Sequence, residues 1–159
     1  MSLQIAKIKG ISIKLHFSLI LVFFLISWTL ATGFMPEYIP NLTQIQYWVM
    51  GIIGTLILFI SVLIHELSHS IVAIKYGIKV RQIVLYIFGG VSDIEEESKN
   101  FRIEFNMAIA GPAMSFTLLI FFALLWWINS FLVSSITNTS LFTISVMIKG
   151  YFFMHHYSI

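Results

Sequence analysis

The 159-residue chain contains no cysteine. That excludes disulfides, thiolate metal ligands and a cysteine nucleophile. Charge is nearly as scarce: Asp, Glu, Lys and Arg make up 10% of the residues, against about 25% in a soluble globular domain. Asp93 is the only aspartate, no Asp or Glu follows Glu104, and no proline follows Pro112. A net charge of +2 gives no argument for nucleic acid as a partner. Apolar residues fill the space instead, at 58% of the chain with a mean hydropathy of +0.94. This composition belongs to membrane proteins. No linker, repeat or low-complexity block interrupts it, so residues 1–159 read as a single membrane-embedded domain.

Three stretches are long and apolar enough to cross a bilayer core of about 30 Å. The first is expected at 15–35, with Pro36 and Pro40 ending it. The second is expected at 48–76, with Gly77 as its C-terminal stop. The third is expected at 103–128, and a weaker fourth candidate at 141–157 is interrupted by Lys149, His155 and His156. The first stretch is too long for a secretory signal and lacks a small-residue cleavage pattern.

Lys7, Lys9 and Lys14 precede the first span, and Lys75, Lys79, Arg81, Lys99 and Arg102 lie between the second and third. Residues 36–47 and 129–140 contain no Lys or Arg. The positive-inside rule then makes the N-terminus and the 75–102 connection cytoplasmic, in a multi-pass protein of the cell membrane. That connection is rich in β-branched and aromatic residues, which predicts a strand or hairpin against the membrane. Residues 83–88 are apolar on both faces, and Gly89-Gly90 permits a turn or a close backbone approach. Such an edge could hold an unwound peptide by strand addition, or be an interfacial hairpin alone. Glu95, Glu96 and Glu97 read as a solvated charge run. The fold class is thus all-α and polytopic, with a small membrane-associated β element.

Within the second span, His65-Glu66-Leu67-Ser68-His69 forms an HExxH motif. Residues four apart on a helix share one face, so two neutral imidazoles can meet one tetrahedral zinc. Glu66, beside them, is placed to take a proton from water as a general base. Charged groups at membrane depth cost roughly 2.5–3.5 kcal/mol each, so a functional role is the default. Two core histidines satisfied by polar neighbours are the plain alternative. Buried charge without a metal has little to offset its desolvation, and the metal reading prevails.

HELSH at 65–69, a strand ending Phe88-Gly89-Gly90, and Ala110-Gly111-Pro112 in the third span occur in that order. With this hydropathy the chain resembles the site-2 protease family of intramembrane zinc metalloproteases over about residues 8–125. The N-terminal segment from Ile8 is also similar to the one that enters the family's first helix. The resemblance implies helices around a zinc ion and hydrolysis of peptide bonds in transmembrane protein substrates. It carries over His65 and His69 as zinc ligands and Glu66 as the general base, and implies that Phe88, Gly89 and Gly90 contact substrate backbone. Gly111 and Pro112 are expected to pack the third span closely. His16 and Asn106 are expected to make internal hydrogen bonds.

A catalytic zinc normally has three protein ligands, and the family supplies the third from an Asp in a pattern resembling NxxPxPxLDG. Nothing here matches it. The leading expectation is a protease core truncated or frame-shifted after about residue 145. His155 or His156 could substitute as the third ligand. Otherwise the chain is an inactive relative that binds membrane helices, or completes its site with another chain.

Overall fold

A computed structural model of the chain describes residues 2–87, 89–94 and 100–135. Phe88, Glu95, Glu96, Glu97, the fourth candidate segment, His155 and His156 lie outside the described residues.

The chain opens with two strands, β1 (Ser2–Ile8) and β2 (Ile11–His16). Lys9 and Gly10 join them, both with positive φ (48° and 87°). Two such residues in succession make the hairpin turn whose twist matches its strands, and glycine holds the second place without strain. Leu15 and His16 therefore end a strand, where the hydropathy reading begins a helix. Ile11 and Ile13 are fully buried while Ser12 and Lys14 are not, the period of two that a half-buried strand requires. Helix α1 (Ser18–Thr29) follows, and the His16 imidazole Nδ1 accepts the Ser18 amide at its start (3.2 Å). His16 is thus satisfied internally, as expected.

The first apolar helix continues past Pro36, the first of its two expected proline stops, and ends before Pro40. A π-helical turn (Leu30–Phe34) leads into a last turn, α2 (Met35–Tyr38), and the apolar helical stretch spans Ser18–Tyr38. Pro36 sits at the start of α2. Proline has no amide hydrogen and its ring crowds the carbonyl four residues back, so a widened turn before it relieves both problems.

Helix α3 (Gln44–Lys75) begins with a capping box. The Gln46 amide donates to Thr43 Oγ1 (3.4 Å), while the Gln46 side chain accepts the Thr43 amide (2.8 Å). Along the helix, the Thr55, Ser61, Ser68 and Ser70 hydroxyls donate to the carbonyls four residues back. This satisfies polar side chains inside an apolar helix. The helix ends near its expected stop. Ile78 donates to the Ala73 carbonyl and Gly77 to the Ile74 carbonyl, a Schellman closure with Gly77 in the left-handed region. Strands β3 (Val80–Tyr86) and β4 (Gly89–Ile94) form the expected hairpin. Asn100 then caps α4 (Phe101–Ser135), its side chain accepting the Arg102 amide.

The β element is larger than the sequence predicts. The four strands make one sheet in the order β1-β2-β3-β4, antiparallel except for the parallel β2–β3 pair. Among the described residues, three helices are long and apolar enough to cross a membrane: Ser18–Tyr38, Gln44–Lys75 and Phe101–Phe131.

The chain divides into two compact units. In the first (Met1–Leu25 and Ile57–Ser115), the sheet packs through Ile11, Val80, Ile83 and Leu85 onto Leu19 of α1 and Ala73 of α3. In the second (Ile26–Leu56 and Phe116–Ile159), Ala31, Met35, Ile39, Tyr47 and Met50 form a separate cluster. There Ser27 donates to Thr55 at 3.0 Å, both nearly fully buried, and Gly51 lies so close that a Cβ would meet the Ser27 carbonyl at 2.7 Å. Small and hydroxylated residues of this kind let apolar helices approach and bond.

Ile83 is fully buried at the sheet–helix junction, whereas Val91 is 58% exposed. Ile83→Ala is expected to destabilise the detergent-solubilised protein by about 2–5 kcal/mol and Val91→Ala by under about 0.5 kcal/mol, read as thermal midpoints.

Candidate metal centre

His65, Glu66 and His69 lie within the last three turns of α3, all half-buried. The helical spacing turns both imidazoles to one side, and their Nε2 atoms stand 3.2 Å apart with the rings at 75°. Each ring is held from behind by α4. His69 Nδ1 lies 2.6 Å from the Met107 carbonyl oxygen, and His65 Nδ1 lies 2.8 Å from Ser115 Oγ. A carbonyl only accepts, so Nδ1 of His69 donates and neutral His69 presents a lone pair at Nε2. The Ser115 hydroxyl is able to accept from His65 Nδ1 in the same sense.

Gly111 stands between these two contacts. Met107, Gly111 and Ser115 are four residues apart on α4, as His65 and His69 are on α3. His65 meets Ser115 and His69 meets Met107, so the two rows run antiparallel. A Cβ on Gly111 would collide with His69 Nε2 and stand 2.6 Å from His65 Nε2. Gly111 thus packs α4 closely, as expected, and keeps open the space that the two Nε2 atoms face.

Strand β4 closes another side. A Cβ on Gly90 would collide with Glu66 Cγ and stand 2.8 Å from its carboxyl carbon. One turn on, the fully buried Ser70 hydroxyl lies 3.2 Å from Ser92 Oγ on β4 and donates to the Glu66 carbonyl. Gly89 opens β4 with φ +125°. The structure therefore brings His65, Glu66, His69 and Gly90 together, with Gly89 adjoining. Phe88 lies outside the described residues. Asn106 is not part of the site: its amide donates to the Tyr76 hydroxyl at 2.7 Å, the internal bond expected of it.

The donor set suits a divalent ion. Two nitrogens bound to one tetrahedral zinc at about 2.0–2.1 Å stand about 3.3 Å apart, close to the separation found. The orienting bonds on Nδ1 are the kind that fix metal-binding histidines. Among the described residues, no group of three His, Cys, Asp or Glu side chains is placed to hold a metal ion together. Sequence reasoning missed Ser115, the Met107 carbonyl, Ser70 and Ser92. The four-residue spacing of Met107, Gly111 and Ser115 was the available signal for the first two.

The family model described as peptidase family M50 matches residues 53–156. The chain belongs to peptidase family M50, the site-2 protease family. It is 34% identical over 117 residues to a putative zinc metalloprotease, Rip3, of Mycobacterium tuberculosis. It is 38% identical over 117 residues to the putative zinc metalloprotease sll0528 of Synechocystis. Each match covers 74% of this chain and 30% of the relative, so this M50 chain spans about a third of the length of these proteins. Among solved structures it is similar to the site-2 protease from Methanocaldococcus jannaschii. That likeness has a TM-score of 0.53 and 28% identity, and covers 99% of this chain and 63% of the other.

Gly111→Ala tests the open space directly. Alanine favours helix over glycine, so helical content is expected to hold while zinc binding, measured by isothermal titration, falls at least about 100-fold. Gly54→Ala is the control: its Cβ would meet Leu30 at an ordinary 3.4 Å, and zinc affinity is expected to stay within about twofold.

Proposed function

We propose that the chain is the core of an intramembrane zinc metalloprotease that hydrolyses peptide bonds of transmembrane protein substrates. The observation that carries this reading is the pair of Nε2 atoms, 3.2 Å apart and braced from behind, beside a carboxylate. The reading assigns His65 and His69 to zinc, with a third ligand drawn from outside the described residues. Zinc held there supplies Lewis acidity toward a scissile carbonyl and toward water.

The chain's own groups do the rest. The Glu66 carboxylate accepts a proton from the attacking water and returns it to the leaving amine nitrogen. The Met107 carbonyl keeps His69 in the tautomer that leaves Nε2 unprotonated, and Ser115 Oγ supports the same tautomer of His65 when it accepts from Nδ1. A substrate helix must open before its carbonyls are accessible, because its own hydrogen bonds occupy and shield them. Among the described residues strand β4 ends the sheet order, and its outer edge offers replacement backbone partners. The close approach of Gly90 to Glu66 puts that edge beside the proposed base. Phe88, Gly89 and Gly90 are therefore assigned to substrate contact. In this reading the cationic flanks face the cytoplasm of a cell membrane, and HELSH lies in the cytoplasmic half of its span, within reach of water.

Glu66→Gln separates binding from chemistry. The variant is expected to keep its zinc within about twofold by elemental analysis, and to lose at least about 100-fold in cleavage of a fluorogenic transmembrane peptide. Full turnover by Glu66→Gln would remove Glu66 from the mechanism. Failure of the wild-type chain to hold zinc would favour the alternative of an inactive, helix-binding relative.

A further inference from the structure

Val91 and Asp93 of β4 are exposed, and Gly90, Ser92 and Ile94 alternate with them on the inner face. Their cross-strand partners on β3, Leu85, Ile83 and Val80, are all buried. Strand β3 thus meets the helices with apolar side chains. Strand β4 brings a glycine and a serine to the part of α3 that carries Glu66. Neither packs as a large apolar side chain would, but Ser92 supplies a directional link: its Oγ lies 3.2 Å from Ser70 Oγ on α3.

The donors in this link have a fixed order. The Ser70 hydroxyl has one hydrogen and gives it to the Glu66 carbonyl (3.1 Å). Ser92 therefore donates to Ser70 Oγ, and a relay runs from β4 through Ser70 to the backbone of Glu66. Ser70 is fully buried, where a hydroxyl is costly unless it is bonded. Alanine at both positions would avoid that cost and would also remove the link.

Spacing gives the link its consequence. Glu66 and Ser70 are one turn apart on α3, a rise of about 6 Å. Gly90 and Ser92 are two residues apart on β4, about 6.6 Å. The close approach of Gly90 to Glu66 and the bond from Ser92 to Ser70 are thus matched steps along helix and strand. The ladder to β3 holds β4 in the sheet, whereas the serine pair sets its height along α3.

We propose that Ser92 and Ser70 are positioning residues, holding the β4 edge in register with Glu66 so that a peptide added to that edge has its scissile bond beside the carboxylate. This rests on the protease reading, and kinetics of the zinc-loaded full chain on the fluorogenic transmembrane peptide separate the two. In S92A, kcat is expected to fall about three- to tenfold, the range set by loss of one hydrogen bond. KM and zinc content are expected to stay within about twofold, because the edge and both imidazoles remain. S92T restores the hydroxyl on a residue suited to a strand, and its kcat is expected within about twofold of wild type. S70A/S92A is expected to be no slower than S92A, since the two side chains act as one link. An unchanged kcat in S92A would overturn the proposal alone, as would a loss carried by KM or an S92T as slow as S92A. A zinc-loaded wild type that cleaves nothing would overturn the protease reading, and this proposal with it.

Discussion

The hydrogen bond from His69 Nδ1 to the Met107 carbonyl is the interaction on which the proposed metal centre depends. A histidine in an apolar helix has two nitrogens, and only one at a time is free to face an ion. The carbonyl settles which one it is, because it can accept and cannot donate. It also locks the ring plane. Ser115 Oγ bonds His65 Nδ1 from behind, so that both Nε2 atoms face one small space. That preorganisation requires α4 to come within hydrogen-bonding distance of α3, and Gly111 makes the approach possible.

The sheet serves this arrangement from the opposite side. Its buried face packs on α3 and α1, and its last strand comes up against the Glu66 stem. Here again a glycine stands where contact is closest. Gly90 and Gly111 sit in two short motifs that look unrelated in the sequence, yet both leave room at the same helical turn. The Schellman closure at Gly77 adds to this, turning the chain from α3 directly into β3 so that the hairpin returns along the helix.

Much of this was legible in the residues. The HELSH spacing, the three apolar helices and the β-branched run before Gly89 follow from periodicity and composition. The first hairpin did not stand out, because the hydropathy of Leu15 onward reads as the start of a span. The alternation of Ile11, Ile13 and Leu15, with Lys9-Gly10 before it, carried the strand signal. Pro36 was read as a stop, whereas a π-helical turn absorbs it; proline fixes a local constraint but not how the preceding turn relieves it. The bracing of the imidazoles was the least legible part. A backbone carbonyl carries no sequence signature, and Ser115 is one hydroxyl among many in a serine-rich membrane chain. Only the folded contact between α3 and α4 assigns them.

The central claim is that one turn of α3, braced by α4, presents two imidazole nitrogens to one divalent ion. X-ray absorption at the zinc edge, on purified chain loaded with one equivalent of zinc, tests it most directly. The account predicts two imidazole nitrogens at about 2.0–2.1 Å, reduced to one in His69→Ala. A zinc shell of oxygens alone, or one unchanged by removing His69, would contradict it.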